Sequence, residues 1–197
     1  MKLNKSTIWA FVILILTASL YRIWSDRPYG FAPQMAMAIF GGAVISNKRM
    51  AFILPLVSLF LSDVLYEVLF RNGLTAIQGF YPGQWGIYLL FIGLTFFGML
   101  MKKINVLSVL GFTVAGSVLF FLISNLLVWL AGDGFQRPLT FEGLMLCYGD
   151  ALAFYRQYAG TELMPLLGDL FFSGVLFGSH YLITKKVLRT STVAVGQ

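Results

Sequence analysis

From Val106 to Ala131 the chain reads VLSVLGFTVAGSVLFFLISNLLVWLA, 26 residues without one charge. At about 1.5 Å of rise per helical residue, such a run is longer than the roughly 30 Å hydrocarbon layer of a bilayer, so it has length to tilt. The rest of the chain is of the same kind. Of its 197 residues, 58% are hydrophobic and 11% charged, and mean hydropathy is +0.82. A soluble domain normally carries about 25% charge. Working outward from Val106–Ala131, further apolar runs cover Ile8–Trp24, Pro33–Ser46, Met50–Phe70, Trp85–Met101 and Leu163–Thr184. The expectation is one all-α transmembrane domain over residues 1–197, a bundle of about six helices numbered here as spans one to six in chain order. Span two, rich in Ala and Gly, is short for a crossing and reads as tilted under a thin region or re-entrant.

Span one follows Lys2 and Lys5 and resembles a signal peptide, with Thr17-Ala18-Ser19 as a passable cleavage site. The apolar run nevertheless continues toward Tyr21 and Trp24, which suit a membrane interface. It is therefore read as retained. Orientation follows from the basic residues of the short loops. With the N-terminus in the cytoplasm, the inner segments hold Lys2, Lys5, Lys48, Arg49, Lys102, Lys103, Lys185, Lys186 and Arg189. The outer segments hold Arg22, Arg27, Arg71, Arg137 and Arg156, together with Asp26, Asp133, Glu142, Asp150 and Glu162. Nine bases against five, with no acid on the inner side, place both termini in the cytoplasm. The net charge of +6 is thus explained by topology and headgroup contact, not by nucleic acid.

The one long connection, Gly132 to Glu162, lies on the outer side. Leu144, Tyr148, Leu152 and Tyr155 recur there at helical spacing, so an interfacial helix is expected between spans five and six. It reads either as a helix resting on headgroups or as a lid over an outward-facing site.

A charge inside hydrocarbon is costly, so acids kept within spans need a reason. Asp63, Glu67 and Asp169 qualify, and Asn125 is a fourth strongly polar group. Counted at about 1.5 Å per residue, Asp63, Asn125 and Asp169 all lie roughly 10 Å below the outer ends of their spans. Three spans thus place a polar side chain at one level. Glu67 is one turn above Asp63, Ser62 and Ser124 adjoin the layer, and Gln34 reaches it from the end of span two. Tyr66, Trp129 and Phe172 are candidates for apolar walls, and Arg71 and Arg156 for counter-charges. The substrate-binding set expected from sequence is Asp63, Glu67, Asn125, Asp169, Gln34, Tyr66 and Trp129. Its excess of carboxylates favours a cationic or hydrogen-bond-donating ligand, or protons. The competing reading is that these groups only hold the helices together. Gly41, Gly42 and the Ala32, Ala36, Ala38 set fit close helix contact. His180, without a His or Cys neighbour, fits packing.

Enzyme signatures are missing: there is no Gly-rich phosphate loop, no Gly-x-Ser-x-Gly and no His pair spaced for zinc. The lone Cys147 excludes an internal disulfide. No catalysis and no cofactor are expected, and no metal is identified. The motif Leu61-Ser62-Asp63 is echoed in Leu167-Gly168-Asp169. An inverted repeat would put the two at mirrored depths, whereas both lie toward one side.

Four stretches carry a family resemblance: Phe31-Ala32-Pro33 leading to Ala38-Ile39-Phe40-Gly41-Gly42-Ala43, then Leu61-Ser62-Asp63, Ser124-Asn125-Leu126-Leu127-Val128-Trp129, and Leu167-Gly168-Asp169-Leu170-Phe171. Over about Arg27 to Leu188 they resemble a bacterial family of small, uncharacterised membrane proteins with a transport assignment. That family in turn resembles the S components of energy-coupling-factor transporters. The resemblance implies a bacterial inner-membrane protein that captures a small solute, a vitamin-like molecule or a cation, from the outer face. It also implies a membrane coupling subunit with ATPases as partner. Many S components carry an Ala-x-x-x-Ala pair in span one. Here the nearest ladder is Ala32-x-x-x-Ala36 with Ala38-x-x-x-Gly42 in span two. The expected function is that of a substrate-binding subunit or small transporter. The alternative is a membrane scaffold or assembly factor whose polar layer only fixes helix packing.

Overall fold

A computed structural model describes residues 5–132 and 137–195, with side-chain detail for residues 8–132 and 137–185. Of the charges weighed above, Lys2, Asp133 and the side chains of Lys5, Lys186 and Arg189 lie outside the described residues. The described chain is all helical: α1 (Lys5–Arg22), α2 (Gln34–Val44), α3 (Lys48–Arg71), α4 (Gln84–Met99), α5 (Val106–Leu130), α6 (Phe141–Ala159) and α7 (Met164–Val195).

Local chemistry sets several of these boundaries. Asn47 caps α3 by accepting from the Arg49 and Met50 N–H groups, and Asn105 caps α5 by accepting from Ser108 N at 2.8 Å. Thr140 caps α6 through Gly143 N, and Gly160, at φ 81°, ends it in the left-handed conformation that glycine takes without strain.

Three helices are long and apolar enough to cross a membrane: α3, α5 and the Met164–Lys185 part of α7. Ile8–Arg22 of α1, α2 and α4 are shorter apolar helices. About six spans were expected, with span two short, and the difference from these three is one of length. The 11 residues of α2 rise about 16 Å, half of a hydrocarbon layer, and the 16 of α4 about 24 Å. The helix expected between spans five and six is present as α6. Its buried face is Gly143, Cys147 and Ala151, while Leu152 is exposed.

The short α2 is the centre of the molecule. It packs against α3, α4, α5 and α7, and Met35 through Ile39 are at most 5% exposed. Met35, Ala38 and Ile39 join one core cluster with Leu59, Phe91 and Leu94. On its other side Met37 joins Phe11, Ala18, Ala51 and Leu54. A helix apolar all round suits such a position. Glycines let backbones touch here: a Cβ on Gly42 would strike Thr95 O, and one on Gly98 would strike Ile39 O. Ala36, Ala38 and Gly42 are therefore consumed in this internal packing and form no docking face.

On α5 the usual order of burial is inverted. Its buried residues are Thr113, Gly116 and Ser117, while Val106, Leu107, Leu110, Val114 and Val118 are exposed. On α7, Asp169 and Ser173 are buried while Leu167, Phe171 and Val175 are exposed. Thr113 Oγ1 donates to Ser173 Oγ at 3.0 Å, and one turn on, Ser117 hydrogen-bonds Asp169. Polar groups between helices and aliphatic groups outside is the arrangement that lipid favours and water does not.

Candidate functional site

One end of the bundle gathers the C-terminal turns of α1, α3 and α5, the N-terminal turns of α2, α4 and α7, and the whole of α6. The two conspicuous acids lie here in very different surroundings. Asp63, on α3, is 3% exposed and fully engaged. Its Oδ1 accepts from Arg22 Nη1. Its Oδ2 accepts from Gln84 Nε2 and Tyr88 Oη, both at 2.6 Å. Arg22 Nη1 also donates to Ser62 Oγ at 2.6 Å, and Tyr66 Oη donates to the Arg22 carbonyl at 2.6 Å, with the guanidinium over the Tyr66 ring. A carboxylate with a cation and two further donors is satisfied in low dielectric.

Asp169, on α7, is 7% exposed, and the hydroxyl of Ser117 is its one hydrogen-bond partner among the described residues. It lines a cleft of about 380 Å³. Gln34, Asn125, Ser124, Arg22, Arg27, Tyr81 and Tyr155 supply the other polar lining. Met35, Leu59, Phe91 and Phe120 form the apolar part. A narrower crevice of about 190 Å³ reaches Asp169 from between α5, α6 and α7. A larger recess of about 490 Å³ lies between the α1–α2 loop and the end of α3, but no acid lines it.

The polar groups of the cleft come from separate elements. Gln34 opens α2. Its Nε2 donates to Ala18 O at 3.3 Å and Ser58 Oγ at 3.4 Å, and its buried Oε1 has no hydrogen-bond partner. Asn125 donates back to Phe121 O at 2.8 Å. Arg27 comes from the α1–α2 loop, where it donates to the carbonyls of Arg22, Pro28 and Phe31. That loop is pressed onto the top of α6 and α7 at Gly30, whose φ is 80°. A Cβ there would come within 2.6 Å of Pro165 Cγ and 3.0 Å of Tyr155 Cε1. Tyr155 of α6 senses both cleft charges. Burial pushes its phenol up, Asp169 adds to that, and Arg27 opposes it. Tyr81 stands in the same relation to the other pair: it is raised by burial and Asp63 and lowered by Arg22.

The structure therefore brings Asp169, Asn125 and Gln34 to one cleft. It places Asp63 behind Arg22, outside the cleft lining. Glu67 lies away from the cleft, paired with Arg71 at 2.7 Å and accepting from Phe80 N at 3.4 Å. Tyr66 braces Arg22 and faces the larger recess. Trp129 donates from Nε1 to Pro138 O at 3.0 Å, tying α5 to the segment before α6. Phe172 packs against Tyr21 and Phe31, and His180 packs on Phe40.

The counter-charges also differ from expectation. Arg71 serves Glu67, and Arg156 serves Glu162 at 2.9 Å, holding that carboxyl down at about 2. Sequence reasoning did not assign Arg22, Gln84, Tyr88 and Tyr81 to the surroundings of Asp63, nor Arg27 and Ser117 to those of Asp169, and it placed Tyr155 only on the helix between spans five and six. Arg22 was recoverable as a base at the outer end of its span whose long side chain can reach down to the polar layer. Gln84 and Tyr88 form an i, i+4 pair at the start of span four. The loop residues left no periodic signal.

Membrane-length helices, polar groups between them and a mixed-charge cleft at one end define the class: a small all-helical protein with the build of a multi-pass membrane protein. Within that class the chain belongs to DUF6580, a family of unknown function, which it matches over residues 2–192. No curated protein and no solved structure matches it.

Proposed function

We propose that this protein is a membrane-embedded binding subunit or small transporter that captures a small organic solute in the cleft at Asp169. The carrying observation is a nearly buried carboxylate with one hydroxyl partner, facing a cleft into which Gln34, Asn125 and Arg27 converge from three other elements. A group kept only to join helices would be satisfied as Asp63 is. The cleft volume falls within the roughly 300–1,000 Å³ of small-molecule sites.

In this reading α1, α2, α4 and the three long helices all lie within the bilayer. Both termini face the cytoplasm, and the cleft opens outward. The described loop charges support that orientation. Lys48, Arg49, Lys102 and Lys103 stand without acids at one end, and Arg137–Asp150 and Arg156–Glu162 pairs stand at the other. Ser19, fully buried, donates to Ser58 O at 2.9 Å, which supports span one as part of the bundle. The kinship to S components and the inner-membrane location remain part of this proposal, as does a coupling subunit with ATPases. Such a subunit would have to dock elsewhere than on the small residues of α2. The scaffold alternative has its own support in the Thr113–Ser173 and Ser19–Ser58 contacts, which join helices and face no cleft.

Native mass spectrometry of detergent-purified protein tests the reading, with reporter fusions after Gln197 and within residues 132–162 for orientation. The expected result is a retained small-molecule adduct, an inner C-terminus and an outer loop. A protein that carries no adduct, or whose C-terminus lies outside, would contradict it.

A further inference from the structure

The cleft contains one acid and one base that form no ion pair among the described residues, although Asp169 meets the Ser117 hydroxyl and Arg27 donates to the carbonyls of Arg22, Pro28 and Phe31. Among the described residues the ion pairs are Arg22–Asp63, Arg71–Glu67, Arg137–Asp150 and Arg156–Glu162. Arg22 enters the cleft already neutralised by Asp63. Arg27 and Asp169 are the lining residues left over, and neither appears in an ion pair. They reach the cleft from different elements, the α1–α2 loop and α7, and Tyr155 lies within the field of both. The same cleft holds a second unmet demand. Gln34 is 3% exposed, lines the same cleft, and its Oε1 lacks a donor. A buried acceptor without a partner is destabilising, which a ligand N–H would relieve.

A metal ion is a poor match for this arrangement. Among the described residues no three His, Cys, Asp or Glu side chains gather to hold one, and Arg27 would repel it. A plain anion would meet Asp169, and a plain cation would meet Arg27. The walls made by Phe91, Phe120 and Met35 suit an apolar or aromatic body.

We infer that the cleft takes a zwitterion, a small molecule with an ammonium-type group held by Asp169 and Gln34 Oε1 and a carboxylate-type group held by Arg27, its apolar body lying against Phe91 and Phe120. This rests on the capture reading above and narrows it to a substrate class. The carboxylate excess expected from sequence pointed to a cation. The structure removes Asp63 and Glu67 from the balance and adds Arg27.

Two matched series of probes test the inference by isothermal titration and thermal shift on purified protein: L-phenylalanine, 2-phenylethylamine and 3-phenylpropanoate, and the corresponding L-tryptophan, tryptamine and indole-3-propanoate. Charge-assisted hydrogen bonds at both ends should favour the zwitterion of a series by at least about tenfold over either singly charged relative. Asp169→Asn should erase the advantage over the carboxylate, and Arg27→Gln the advantage over the amine. Should Arg27→Gln disturb its loop, Arg27→Lys keeps the charge and should keep most of the preference. Singly charged probes binding as well as the zwitterions would overturn the inference and leave the capture reading standing. If no probe binds, the adduct held in native mass spectrometry decides. One carrying both charges supports the inference, and one lacking either overturns it. The absence of any adduct overturns the capture reading and this inference together.

Discussion

Asp63 and Asp169 sit at one end of one bundle, each in a similar Leu-x-Asp context, and their surroundings are opposite. Asp63 has an arginine, an amide and a phenol on its two oxygens. Asp169 has one serine and a cleft. Burial of a charge is tolerable when every lone pair is met, and such a carboxylate belongs to the structure. A buried carboxylate left short of partners beside open volume is an arrangement whose cost calls for an occupant. Two acids that look alike in the sequence are thus separated by their neighbours.

The largest expected effect comes from breaking the satisfied acid. Asp63→Asn leaves Arg22 without its counter-charge and should destabilise the folded protein by about 3 kcal/mol, at the low end for buried pairs because Arg22 is partly exposed. A double-mutant cycle with Arg22→Gln, read by chemical unfolding in detergent, should show strong coupling. Additive losses would mean that the pair is not the source of the stability.

Next in size is the geometry that brings Arg27 over the cleft. Gly30→Ala puts a side chain at φ 80°, where Pro165 and Tyr155 already crowd the space, and should lower the free energy of unfolding by about 2 kcal/mol, read by chemical unfolding. Gly160→Ala, at φ 81° but with open space around it, should cost less, about 1 kcal/mol. Equal losses would show that the contact of the α1–α2 loop with α6 and α7 carries no strain of its own.

The smallest effect belongs to a surface pair. Arg156 holds Glu162 at about 2, below its ordinary 4.5. A depressed carboxyl stabilises the fold above its unfolded pKa and loses that contribution as pH falls toward the folded value. The difference in unfolding midpoint between the native protein and Glu162→Gln should therefore be present near pH 6 and vanish toward about pH 2. Because the pair is exposed, salt should shrink it as well. A difference that grows on acidification would give the pair the wrong sign.

Much of the architecture was legible because hydrocarbon imposes a coarse rule. An uncharged run such as Val106–Ala131 is a helix whichever way it packs. The amphipathic spacing of Leu144, Tyr148, Leu152 and Tyr155 marked α6 in the same way, although its buried residues are Gly143, Cys147 and Ala151. Less legible was α2, whose burial on every side comes from glycine-permitted contact with α4, a property of two helices together. Depth counting placed Asp63, Asn125 and Asp169 at one level, but depth has no azimuth. Whether an acid faces a cleft or an arginine depends on rotation about the helix axis. For Asp63 that rotation is fixed by Arg22, Gln84 and Tyr88, none of them near it in sequence. Arg27 was visible only as a loop charge, and its position over the cleft depends on the fold at Gly30.

The contrast between the two acids is tested most directly by comparing Asp63→Asn and Asp169→Asn in one detergent, recording the unfolding midpoint and the small-molecule adduct in native mass spectra. The expected pattern is crossed. Asp63→Asn lowers the midpoint, and those molecules that remain folded keep the adduct. Asp169→Asn keeps or raises the midpoint and loses the adduct. A loss of stability with Asp169→Asn as large as with Asp63→Asn, with no change in what the protein holds, would make both acids structural and contradict the account.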